Sequence, residues 1–186
     1  MNPTSNKSDF DDLTTNLKDL AYSYLEKYNP SKQQLKVFLL KKYLFKIKGS
    51  KSKKEVTSII DEIIMNLEKN KFLNDEMYSD SKARMFLRRG YSLSKINQSL
   101  RRKGIDDKYV KQSIEKIKEN EIEPDFVSAL KLCKRRRIGP LRPESNRELF
   151  YKKDMGILAR GGFSFDLSKR VLDLEVKEFQ KLIKII

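Results

Sequence analysis

The chain contains no histidine and only one cysteine in 186 residues. Without histidine, Ser-His-Asp triads, Cys-His pairs and histidine-bearing metal cages are excluded, and a lone Cys133 can form neither an internal disulfide nor a cysteine cage. Its helical spacing from Phe126, Ala129 and Leu130 reads as a buried thiol. Glycine and proline are sparse, at seven and five, which leaves little punctuation for a sheet-rich fold. No stretch approaches the roughly 18 consecutive apolar residues of a membrane span. The opening MNPTSNKSDFDD lacks the basic-then-apolar plan of a secretory signal. The expectation is a cytoplasmic protein with no metal, no cofactor, no membrane and no small-molecule substrate.

Charge is abundant. Hydrophobic residues make up 38% and charged residues 36%, with 41 Lys and Arg against 26 Asp and Glu and a formal net charge of +15. Such an excess suits a polyanionic partner, although lysine also coats ordinary surfaces. The arginines carry more information. All of them lie between Arg84 and Arg170, whereas the first 83 residues use lysine alone. A guanidinium offers a planar fork for phosphate or carboxylate that an ammonium does not, so the second half is the expected recognition surface.

The apolar residues repeat with helical period. Leu13, Leu17, Leu20, Ala21, Tyr24, Leu25 and Tyr28 mark a helix that Asn29-Pro30 stops. Ser31 with Gln34 and Ser52 with Glu55 read as capping boxes for two further helices, separated by the lysine-rich loop KIKGSKSKK. The same order begins again after Lys71. Asn74-Asp75 caps a helix ending at Gly90, Ser92 opens one that Gly104 terminates, and Asp106-Asp107 begins another. In a third round Glu123-Pro124 starts a helix, Gly139-Pro140-Leu141-Arg142-Pro143 is a turn, Ser145 with Glu148 suggests a capped helix ending at Gly161-Gly162, and Phe163-Ser164 leads into one last helix through Leu172, Phe179 and Ile186. Ser31, Leu35, Leu39 and Lys42 match Ser92, Ile96, Leu100 and Lys103 at one constant offset, and Leu100, Gly104 and Ile105 match Leu158, Gly162 and Phe163. The expected fold is all-α: about nine helices in tandem three-helix repeats, stacked as an elongated, curved array. The expected boundaries are a flexible lead-in at 1–12 and repeats at 13–72, 73–120 and 121–186.

No constellation suggests catalysis. Asp11-Asp12 and Asp106-Asp107 are adjacent acids at helix starts, which the helix dipole favours. No phosphate loop is present, and Arg160-Gly161-Gly162-Phe163 falls at a helix end. The aromatic residues Tyr22, Tyr43, Phe86, Tyr91, Tyr109, Phe150 and Phe163 sit at positions better suited to core packing than to base stacking. The basic runs stand out instead. Arg84 and Arg88 share a helical face beside Arg89, Arg101-Arg102-Lys103 closes one helix, and Lys134-Arg135-Arg136-Arg137 closes another. The dipole explains one or two cations at a helix end but not four in a row. With Arg160, Lys169 and Arg170, these are the candidate partner-binding residues.

Several stretches, in order, carry a resemblance. Leu73-Asn74-Asp75-Glu76-Met77-Tyr78-Ser79 is similar to L-[DN]-D-x-x-[FY]-A; Leu100-Arg101-Arg102-Lys103-Gly104-Ile105 to L-x-x-K-G-I; and Leu158-Ala159-Arg160-Gly161-Gly162-Phe163-Ser164 to L-x-R-x-G-F-[ST]. Ala21–Leu25 followed by Ser31–Leu35 is similar to A-x-x-x-L and S-x-x-[ED]-L. Together they resemble the RecX family over roughly residues 13–172. Lys71-Phe72 stands where that family usually has Gly-Tyr, Ser79 where it has alanine, Gln34 where it has an acid, and Tyr91 where a second glycine is common. The resemblance implies a regulator that binds the groove of the RecA–DNA filament and restrains RecA's ATPase, strand-exchange and coprotease activities; with no coiled-coil pattern in the sequence, a monomer is the expectation. It carries Arg101, Arg102 and Lys103 into the groove, while charge alone nominates the other basic residues. The alternative is a helical protein that binds DNA or RNA without RecA.

Overall fold

The computed structural model describes residues 3–47 and 52–185, with the side chains of 3–11, 46 and 47 left aside. Its described residues form ten α-helices and no strand. They divide into two compact units: residues 1–78 with 103–106, and residues 79–102 with 107–186.

The first unit is built on α1 (Pro3–Lys27), α2 (Lys32–Lys42) and α3 (Lys53–Lys69). Leu13, Leu17 and Ala21 of α1 meet Leu35 and Leu39 of α2 and an unbroken inner stripe on α3, Val56, Ile59, Ile60, Ile63, Ile64 and Leu67. Each fully buried side chain of this size is worth about 1.5–3 kcal/mol. Both capping boxes form, at Ser31 with Gln34 and at Ser52 with Glu55. Two features differ from the sequence reading. Residues 3–12 are helical where a lead-in was expected, as Pro3 suits a first helical turn. After α2 the chain winds into a π-turn, Tyr43–Ile47, that tucks Tyr43 inward. The centre of the lysine-rich loop, 48–51, lies outside the described residues, as does Ile186.

The second unit takes most of α4 (Asp75–Arg88), then α5 (Leu93–Arg102), α6 (Asp107–Asn120), α7 (Pro124–Arg136), α8 (Glu144–Arg160), α9 (Phe165–Leu172) and α10 (Val176–Ile185). Ile96 and Leu100 of α5 and Val110, Ile114 and Ile117 of α6 are buried. A second core joins Phe126, Ala129, Leu130 and Cys133 of α7 to Leu158 of α8, Val171 and Leu172 of α9 and Phe179 of α10. The single helix expected after Ser164 is two, because the chain turns at Asp173, whose carboxylate accepts the Tyr151 hydroxyl at 2.9 Å. The expected Ser145 cap is also replaced: α8 starts at Glu144, behind Pro143, with no side-chain cap.

One joint occurs twice. In the first unit the Ser31 hydroxyl donates to the Lys103 carbonyl at 2.9 Å, and Asp75 Oδ1 accepts the Lys32 amide at 2.9 Å. In the second, the Ser92 hydroxyl donates to the Gly161 carbonyl at 2.8 Å, and Asp125 Oδ1 accepts the Leu93 amide at 2.7 Å. Each serine also caps its own helix, and each time a glycine turn presses on the cap. A Cβ on Gly104 would stand 2.4 Å from Gln33 Cβ, and one on Gly162 would stand 2.5 Å from the Ser92 hydroxyl.

Candidate functional site: a basic surface on the second unit

The basic surface grows from two helix ends. Helix α4 finishes Arg88-Arg89-Gly90 and α7 finishes Lys134-Arg135-Arg136-Arg137, and all but Gly90 are exposed. They meet because Gly90 lies against α7: a Cβ there would come within 2.9 Å of the Ser128 carbonyl and 3.1 Å of Lys131 Cβ. The Arg135 guanidinium then reaches across and donates to the Arg89 carbonyl. That bond satisfies one of the open carbonyls at the α4 terminus and gathers the two arginine runs into one patch. The side chains of Arg88, Arg89, Lys134, Arg136 and Arg137 make no hydrogen bond or ion pair among the described residues, so their donors face outward.

Arg84, one turn earlier on α4, borders a cleft of about 380 Å³ with Asp80, Ser113 and Lys116. Asp80 accepts from the Ser113 hydroxyl at 2.6 Å and from the Lys116 ammonium at 2.6 Å. Burial alone would raise the Asp80 carboxyl, but these hydrogen bonds, with the charges of Lys116 and Arg84, outweigh it and hold the carboxyl below its ordinary value. The Arg84 charge lies close enough to Asp80 to contribute to that balance.

Other candidates are less free. Arg101 pairs with Asp107 at 3.1 Å, and Arg102 donates to the Gln98 side chain at 2.9 Å. Lys103 is half-buried and gives its carbonyl to Ser31. Lys169 faces Asp173 at 3.7 Å. Arg170 grips Glu123 with both arms, at 2.6 and 3.1 Å, and lies 4.0 Å over the Phe126 ring, a place in the unit's own architecture. Arg160 is exposed at the end of α8.

Two arginines outside the basic runs, Arg142 in the expected turn and Arg147 in α8, serve the interior. Arg142 forms a two-armed pair with Asp154, at 2.6 and 2.7 Å, and Asp154 also accepts the Gly139 amide at 2.9 Å. Arg147 donates to the Pro140 carbonyl at 2.8 Å. Cys133 is fully enclosed; burial first, and the Asp154 charge second, push its thiol up to about 12, so it is an inert part of the core. No cluster of three or more acidic, cysteine or histidine ligands occurs among the described residues. No helix there is long and apolar enough to cross a membrane.

No protein-family model matches the chain. The regulatory protein RecX of Myxococcus xanthus (strain DK1622) is 33% identical over 161 residues, 86% of this chain and 85% of that protein. The chain belongs to the RecX family. Two solved structures share its fold: a crystal structure of regulatory protein RecX, 20% identical with a TM-score of 0.64 over 94% of this chain and 79% of the other, and RecX from Lactobacillus salivarius, 18% identical with a TM-score of 0.59 over 91% of this chain and 98% of the other.

Measured against the RecX motifs, two of the departures, Gln34 and Ser79, have physical reasons. Gln34, in place of an acid, completes the Ser31 capping box and accepts the Tyr78 hydroxyl at 2.8 Å. Its neutrality suits a neighbourhood that already holds Asp75, whose carboxyl burial pushes up. Ser79, in place of alanine, is fully buried yet satisfied: it donates to the Tyr109 carbonyl at 3.2 Å, and its oxygen lies 2.8 Å from that of Ser113. Lys71, in place of glycine, takes a left-handed backbone, φ +61°.

Proposed function

We propose that this chain regulates the RecA recombinase by lodging in the groove of the RecA–DNA filament, restraining ATP hydrolysis, strand exchange and coprotease activity by binding rather than catalysis. Membership in the RecX family and the shared name "regulatory protein RecX" support the class of partner. The observation that carries the reading is the outward-facing patch of Arg88, Arg89, Lys134, Arg136 and Arg137, whose donors no acid among the described residues uses. Guanidinium groups held open at two adjoining helix ends suit carboxylate or phosphate along an anionic filament.

In this reading Arg84, Arg101, Arg102, Lys103, Arg135 and Arg160 extend the contact, and Lys169 and Arg170 lie at its margin. The scaffold in this reading is built of three-helix repeats at 13–72, 73–120 and 121–186. The protein acts in the cytoplasm as a monomer. Titrating RecA's DNA-dependent ATPase with the purified chain tests the proposal, with DNA binding measured in parallel. Inhibition at equimolar or lower ratios supports it. Tight, salt-steep DNA binding with no effect on RecA would instead establish a stand-alone nucleic-acid binder.

A further inference from the structure

The outer side of α8 and α9 holds an opening of about 450 Å³ whose walls are Met155, Ala159, Phe163 and Phe165, with Gly156 at its floor. Apart from Lys152 at its edge, its polar neighbours are already engaged: the Ser168 hydroxyl donates to the Ser164 carbonyl at 2.7 Å, and the Tyr151 hydroxyl donates to Asp173. The opening therefore offers a guest apolar contact and little else. Phe165 is 69% exposed beside it, an aromatic ring that the chain itself does not cover.

Gly156 points to use. It lies inside α8, four residues before the helix ends, where glycine is a much poorer helix former than alanine. Packing does not require it. A Cβ at this position would meet only the Arg160 guanidinium, at 3.4 Å, and otherwise open space. The helix thus forgoes stability beside a hollow that, among the described residues, only the Arg160 guanidinium approaches over Gly156. Lys152 and Arg160 sit four residues to either side of Gly156, both exposed on the same face of α8. At 1.5 Å per residue they are about 12 Å apart along the helix axis.

We infer that this slot receives an acidic amphipathic helix from a partner protein. One bulky apolar side chain enters over Gly156, and carboxylates one turn before and one turn after it pair with Lys152 and Arg160. This is helix-in-groove recognition, with the apolar anchor supplying affinity and the two cations setting the register and excluding basic helices. The inference shares Arg160 with the filament reading but requires neither RecA nor DNA.

The test uses the full chain and a fluorescent helical peptide carrying two glutamates eight residues apart with a leucine midway, read by anisotropy. The wild type is expected to bind this peptide and to reject the same peptide with lysines in place of the glutamates. Gly156→Leu and the Lys152→Glu, Arg160→Glu double variant should each weaken binding about tenfold or more, as loss of a central anchor does. Gly156→Ala guards against misfolding as an explanation, since it should raise the melting temperature while weakening the peptide. Absence of peptide binding, equal binding of the lysine peptide, or undiminished binding by Gly156→Leu overturns the inference. So does sedimentation showing a dimer that Gly156→Leu dissolves, which would put a second copy in the slot. Loss of peptide binding in Gly156→Leu, at a residue outside the filament contact, with RecA still restrained would separate this site from the filament proposal.

Discussion

Helices α4 and α7 finish in the same turn built on different residues. Each ends with a left-handed residue whose successor donates back to a carbonyl five residues earlier: Tyr91 to Phe86 at 3.1 Å and Ile138 to Cys133 at 3.2 Å. In α4 the left-handed residue is Gly90, φ +73°; in α7 it is Arg137, φ +53°. Gly90 answers to packing, since a Cβ would strike the Ser128 carbonyl and crowd the Leu132 amide. Arg137 is exposed, and its conformation costs an L residue roughly 1–2 kcal/mol. Nothing in the packing asks for arginine there, and the strained turn adds a fourth cation to the run beginning at Lys134. Strain retained at an exposed basic position fits a residue kept for what it binds. What holds the strained turn is next to it: Asp154 grips both the Gly139 amide and the Arg142 guanidinium.

The comparison can be broken in order of expected effect. Asp154→Ala should be the most damaging, about 3–5 kcal/mol by urea unfolding, because it strands a part-buried guanidinium and an amide together. A loss no larger than that of an exposed ion pair would mean that Asp154 does not hold the α7 end. Gly90→Ala should cost about 2–4 kcal/mol, combining left-handed strain with the clash against α7; a neutral result would remove the packing explanation. Arg137→Gly should do the reverse, stabilising the chain by up to about 1 kcal/mol while lowering the salt slope of binding to an anionic partner by about one. Stabilisation without any change in binding would reduce Arg137 to an accident of sequence.

The smallest effect concerns what ties α4 down ahead of its end. Asp80 on α4 is held by Ser113 and Lys116 of α6, whereas the matching position on α7 is Val127. The folded-state carboxyl lies below its ordinary value. Its contribution is therefore fully present above the unfolded aspartate pKa, near 4, and disappears as pH falls through the lower folded value. Wild type and Asp80→Asn should differ in stability at neutral pH and converge in acid. A constant difference down to the lowest pH would assign the effect to packing.

Much of the helical plan was legible because the decisive signals are local. Ser31 with Gln34 and Ser52 with Glu55 cap within one turn of themselves, and Gly90, Gly104 and Gly162 stand at helix ends with positive φ. The lysine and arginine runs at 88–89 and 134–137 could be named as basic and exposed, but not as adjoining, because their meeting depends on Gly90 admitting α7. Asp75 and Asp125 read as helix starts, yet each serves an amide 43 and 32 residues away. Arg170 looks in the sequence like a further member of the basic set and Arg142 like part of a turn, and the fold gives each a partner of its own.

Composition and periodicity by themselves determined an all-helical, histidine-free, strongly cationic chain, with its caps and most of its breaks, since each depends on residues within a turn or two. Tertiary structure decided which cations stay open, which acids lock the joints, and why one glycine inside α8 leaves a hollow. Those outcomes depend on which distant surface approaches a residue, and only packing between helices sets that approach.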